Sequence, residues 1–232
     1  MKIGFTLLIL AAGFSSCTPP APSKSGSGAA TTTSAEDVPK QQADYGRSVY
    51  SRYVYSAPDG GRLLIQNGLP RGGFRYTNAR GAAYSYVVFW TQLTNETDHP
   101  LTLELDIPGD AFGIPALPGA YYTVILPADT MTLEQFPRFV NGLKDRESVL
   151  NAPAHQAASL RRMVPSKGQS GFYVVLLCPV EGARGAMRTG LRLEGQTLFY
   201  RMNVDGSRSN SRSADREIPC GRINLNNLVL QE

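Results

Sequence analysis

The 232-residue chain reads as mainly β, an antiparallel sandwich, for three reasons. Short β-branched and aromatic runs recur along its last three quarters. The run at 101–107, LTLELDI, alternates strictly, which puts its Leu and Ile residues on a buried face and Thr102, Glu104 and Asp106 on a wet one. Glycine and proline punctuate the runs at fairly even spacing, as turns between short strands require.

The runs can be taken in order. Residues 50–55, 62–66 and 73–77 each have strand composition, and 82–93, AAYSYVVFWTQL, is a long aromatic and β-branched strand. TNETDHP turns the chain into 101–107. Further strands are expected at 121–126, 172–178, 187–193 and 197–202, with 223–225 and 228–230 closing the chain. Between 129 and 163 the period of two is lost. Thr132 and Gln135 stand at capping-box spacing, and 144–150 and 154–163 have the makings of short helices, so a short helical excursion is expected here. Pro137 limits the first of these to about a turn.

Two stretches bear a resemblance. WTQLTNETDHPLTLELDI, residues 90–107, and VPSKGQSGFYVVLL, residues 164–177, resemble the hairpin and the later apolar strand of bacterial immunoglobulin-like envelope domains. The resemblance implies an immunoglobulin-like sandwich and no particular activity.

The N-terminus has a different character. Lys2 precedes an apolar run from Ile3 to Phe14, the size of a signal-peptide core and short for a membrane span. Ser15, Ser16 and Cys17 follow. This arrangement resembles the lipobox of bacterial lipoproteins, with Phe14 where Leu is usual. It implies cleavage after residue 16 and acylation of Cys17, palmitate included. An ordinary secretory signal with a cysteine near its cut would begin the same way. The tail beyond Cys17 favours the anchor, because Pro, Ser, Thr, Gly and Ala dominate it and such composition buries too little to fold. The expected organisation is therefore a signal peptide at 1–16, a lipidated tether at 17–44 and a β-sandwich domain at 45–232. By the same resemblance, Thr18 in place of Asp implies the outer membrane. The lack of an acidic run after it implies the periplasmic face.

Charge excludes little. The net charge is +4 and the isoelectric point about 9.0. Arg184, Arg188, Arg192 and Arg201 are spread singly, which suits a solvated face and lacks the clustered patch of a nucleic-acid reader. If Cys17 carries lipid, Cys178 and Cys220 remain in an oxidising compartment. A bridge between them would close a loop of about 40 residues and contribute about 4 kcal/mol by chain entropy. Two buried thiols are the alternative.

Catalytic patterns are thin. His99 lies in the NETDHP turn and His155 in the excursion, and Ser170 in GQSG lacks the spacing of a nucleophile elbow. Glu104 and Asp106 share a strand face about 7 Å apart, a separation at which acid pairs can work and at which solvated carboxylates are commoner. Asp106 and Asp110 lack the dense spacing of a calcium loop. No metal or cofactor is expected, and no enzyme activity.

Aromatic residues offer more. Trp90, Tyr121, Tyr122 and Tyr200 are candidate ligand contacts, able to stack on sugar rings or to anchor a partner. Neighbours such as Tyr121 and Tyr122 must point to opposite faces of a strand. The alternative is that the outward aromatics pack beneath the 129–163 excursion. Asn95-Glu96-Thr97 matches a glycosylation sequon. Asp129-Thr130-Met131 resembles the O-glycosylation site of some Gram-negative envelope proteins, with Thr130 as acceptor. The expected role is a lipid-anchored envelope protein that binds or braces another envelope component, protein or glycan. A glycan-binding module and a carboxylate hydrolase are the alternatives.

Overall fold

Among the described residues, eleven strands build two antiparallel sheets packed face to face, a β-sandwich with little helix. The computed structural model describes residues 49–58, 60–132, 146–151, 153 and 156–225. These residues lie within one compact unit, Val38–Glu232. The first sheet contains β1 (Val49–Ser56), β2 (Arg62–Gly68), β3 (Arg71–Thr77), β4 (Ala83–Asn95), β6 (Thr123–Ile125) and β8 (Gly168–Pro179). The second contains β5 (Leu101–Ile107), β7 (Ala158–Val164), β9 (Ala186–Glu194), β10 (Thr197–Asp205) and β11 (Ala214–Asn224). Strand order is β1-β2-β4-β8-β6 in the first and β7-β5-β11-β10-β9 in the second.

Strands β2 and β3 share one edge of β4. The first pairs with Thr91 to Asn95, the second with Ala83 to Val88, while β8 runs along the other edge. Pro70 interrupts them, since it brings no N–H to the ladder. Gly72 and Gly73 then make a bulge at which the register with β4 shifts. Gly73 has φ +79°, which L residues rarely adopt, and a Cβ on Gly72 would meet the Val87 Cα at 2.6 Å.

Burial explains which strands alternate. In β5, Leu101, Leu103, Leu105 and Ile107 are buried between less buried neighbours, as the sequence suggests. Strand β8 is buried without a break from Gly171 to Cys178. Its inner face, with Phe172, Val174 and Leu176, enters the core between the sheets. Its outer face, with Tyr173, Val175 and Leu177, joins Tyr86, Val88 and Trp90 of β4 in a second cluster. Met131 and Leu150 complete that cluster, Leu150 from the short helix α1 (Arg146–Leu150). A sheet covered on both faces needs continuous apolar runs, and that is why 82–93 and 172–178 lack alternation.

The excursion is less helical than expected. Helix α1 falls within 144–150, but 158–164 forms strand β7, paired with β5 from Leu101↔Val164 to Ile107↔Ala158. Pairing with an open edge outweighs weak local helix preference. Pro137 and Gln135 lie outside the described residues. The last strand begins earlier than expected, at Ala214, and includes Cys220. A bulge there opposes Leu198 and Phe199 to Gly221 and Pro219. Residues 228–230 are outside the described part.

A buried asparagine and a buried tyrosine tie the layers. Asn67 on β2 donates to the Leu191 carbonyl at 3.0 Å and accepts from the Leu191 N–H at 2.9 Å, on β9 of the other sheet. It also bonds to Ser51 and Thr91. Tyr55 accepts from the Leu193 N–H at 2.8 Å. Side chains of the first sheet thus satisfy the backbone of β9 on the side away from β10, and that edge is closed to strand pairing.

Candidate functional site

Most positions singled out by sequence prove structural. Trp90, Tyr122 and Tyr200 are each 1 % exposed, so they form no platform for a sugar. Trp90 lies under Met131 and Leu150, in agreement with the alternative that the excursion covers the outward aromatics. Tyr122 and Tyr200 are the inward members of their pairs. Phe199 is the outward one, with the Arg192 guanidinium 4.6 Å from its ring centre. Tyr121 is half-buried and its backbone bridges to Gly113.

Cys178 and Cys220 are separate buried thiols, not a bridge. Each S–H reaches a carbonyl near its own strand, Pro179 at 3.3 Å and Leu198 at 3.4 Å. Cys178 sits beside Tyr122 and Cys220 beside Tyr200. Burial pushes both thiols up to about 12, so each is a neutral, unreactive group.

Asn95 of the sequon is wholly buried. Its amide donates to the carbonyls of His99, Val164 and Pro165, and its oxygen accepts from the backbone and hydroxyl of Thr97. It organises the turn and has no atom to spare for a glycan. Thr130 is exposed and takes a weak hydrogen bond from Arg162 at 3.5 Å. Cys17 and His155 lie outside the described residues.

The carboxylates are engaged or solvated. Glu104 accepts from Arg222 at 2.8 Å through one oxygen and approaches Arg161 at 3.5 Å through the other. Asp106 and Asp110 are exposed. The same outer face of the second sheet carries Arg192 on Glu217 and Glu194, and Arg201 on Asp215. The face is thus solvated, as expected, and internally paired as well. Among the described residues no group of His, Cys, Asp and Glu gathers as a metal site would need, and no helix is long and apolar enough to cross a membrane.

One place has the geometry of a site. At one end of the sandwich a pocket of about 260 Å³ opens between the sheets. Its floor is the inner face of the first sheet, where Ser85 pairs with Cys178 and Val87 with Leu176. The Gly72–Gly73 bulge forms one wall. The chain from Ala183 into β9 forms the other, with Arg184 and Arg188. Gly185, at φ +95°, shapes that wall, and a Cβ there would meet the Asp205 carbonyl oxygen at 2.7 Å. Tyr122 also lines the pocket, and its hydroxyl is buried with no hydrogen-bond partner. Arg188 is oriented by the Met187 carbonyl at 2.7 Å and by the Tyr50 ring. Sequence reasoning put Arg184 and Arg188 on the solvated face and missed the pocket. The adjacent glycines in RGGFRYT were the available signal, because paired glycines in a strand mark a bulge.

No protein-family model matches the chain. No curated protein and no solved structure matches it either.

Proposed function

We propose that this chain is a lipid-anchored cell-envelope protein of binding or structural type, not an enzyme. Cys17 carries the lipid in the outer membrane, on its periplasmic face. Residues 18–44, rich in Pro, Ser, Thr, Gly and Ala, act as the tether. The sandwich is thereby held close to the membrane, where it binds or braces another envelope component.

The preformed pocket between the sheets is the observation that carries the binding reading. Glu104, held by two arginines, is poorly placed to act as an acid or base. Crosslinking in intact cells, followed by mass spectrometry, tests the reading. A single stoichiometric envelope component is expected, lost when Cys17 is replaced by serine. An unacylated N-terminus together with free release into the soluble fraction would overturn it.

A further inference from the structure

The chain carries two glycosylation patterns, and the fold separates them. Asn95 is wholly buried, with its amide committed to the turn that it organises. Thr130, within Asp129-Thr130-Met131, is exposed. No other Asp in the chain is followed by Thr or Ser.

The backbone around Thr130 is held from two sides. Met131 is buried in the apolar cluster with Trp90 and Tyr173, and its N–H donates to the Gly171 carbonyl at 3.1 Å. Thr130 itself bridges to Phe172 of β8. From the other side, Arg162 of β7 donates to the carbonyls of Ala128 and Asp129. Neighbours in an extended chain point to opposite faces, so the inward Met131 sets Thr130 outward. The Thr130 hydroxyl accepts the 3.5 Å contact from Arg162 and donates to no group among the described residues. Its oxygen is therefore presented to solvent at a fixed position, with its proton uncommitted.

The position has a physical use. Strand β6 ends the first sheet and β7 ends the second. Thr130 stands where these two edges meet, since it extends the pairing of β6 along β8 and Arg162 reaches it from β7. The far edge of the second sheet, β9, is closed by Asn67 and Tyr55. Edge strands offer backbone groups to other chains, and a bulky, solubilising glycan beside β7 would block that approach.

We propose that Thr130 is an O-glycosylation site that shields the β6–β7 side of the sandwich. The Thr130 oxygen attacks the anomeric carbon of a diphosphate-activated sugar. The bond from that carbon to the diphosphate breaks, the diphosphate leaves, and the hydroxyl proton passes to a base of an envelope glycosyltransferase. The inference rests on the envelope reading, because only an exported chain meets that transferase and its donor.

The full chain is recovered from the membranes of its own bacterium, digested and mapped by mass spectrometry. The peptide containing Asp129 to Thr132 should carry the added mass of one or more sugars, placed on Thr130 by fragmentation. Thr130→Ala and Asp129→Asn, made in the same cells, should lose it. Thr130→Ser should keep it, since the hydroxyl remains. Thr132→Ala should keep it as well, although Thr132 is also exposed. An unmodified Thr130 in a chain acylated at Cys17 overturns the proposal and leaves the envelope reading standing. A sugar that persists in Thr130→Ala, or that is lost in Thr132→Ala, overturns it too. An unacylated chain in the soluble fraction overturns the envelope reading, and the proposal falls with it.

Discussion

Asn67 shows how much a single buried side chain carries. It is 1 % exposed and bonds to both backbone groups of Leu191, across the layers. Asn67→Ala would strand those groups in the core. Each buried polar group left unpaired costs about 1–3 kcal/mol, so a loss of about 3 kcal/mol is expected in urea unfolding. A loss under about 1 kcal/mol would mean that water replaces the amide. Tyr122 presents the opposite case, since its hydroxyl is buried without a partner. Tyr122→Phe should stabilise the unliganded chain by about 1 kcal/mol, read as a higher urea midpoint. The thiols give a third check at this scale. Cys178 and Cys220 are buried and held protonated at neutral pH, so a thiol reagent should leave both untouched in the native protein and label both in urea. Resistance to labelling in urea before reduction would reveal a bridge. The role of Asn67 was not legible in sequence, because partners 124 residues apart leave no local pattern, whereas two buried thiols were one of the two readings the sequence left open.

Strand β11 shows where an element depends on one glycine. A Cβ on Gly221 would stand 2.0 Å from the Glu104 carbonyl oxygen on β5, and its φ is +147°. Gly221→Ala must push β11, the middle strand of the second sheet, away from β5. A loss of about 3 kcal/mol or more is expected, with a lower Tm in thermal unfolding. An unchanged Tm would show that the strand shifts at little cost. Strand β7 carries the complementary lesson. Its sequence, ASLRRMV, has no strong local preference, and only the open edge of β5 makes it a strand. Strands β4 and β8 were legible because their residues suit a sheet whichever face is buried. That both faces are buried follows from α1 and Met131 arriving over the outer one.

At the scale of the molecule, the outer face of the second sheet links stability to pH. Arg192 holds the Glu217 carboxyl below its ordinary range, and Arg201 does the same for Asp215. Depressed carboxylates stabilise the fold above their unfolded pKa, and that contribution is lost as pH falls through the folded values. Stability should therefore be level above about pH 4 to 5 and decline below it. The pairs are partly solvated, so each contributes no more than about 1 kcal/mol. Urea midpoints from pH 7 to pH 3 measure this. The pH dependence should flatten in an Arg192→Gln, Arg201→Gln double variant, and an undiminished slope would place the acid sensitivity elsewhere.

The sequence by itself determined the sandwich class, most strand positions and the solvated alternation of β5, because side-chain period and turn residues are local properties. Its N-terminal composition also carries the expectation of a lipid anchor at Cys17. Tertiary structure alone decided that Trp90, Tyr122 and Tyr200 are interior, that Cys178 and Cys220 stay apart, and that Asn95 is a turn organiser. It alone placed Tyr122, Ser85 and Arg184 around one pocket. The physical reason is distance along the chain. A strand's alternation states that one face is buried, but only packing states which face, and against what.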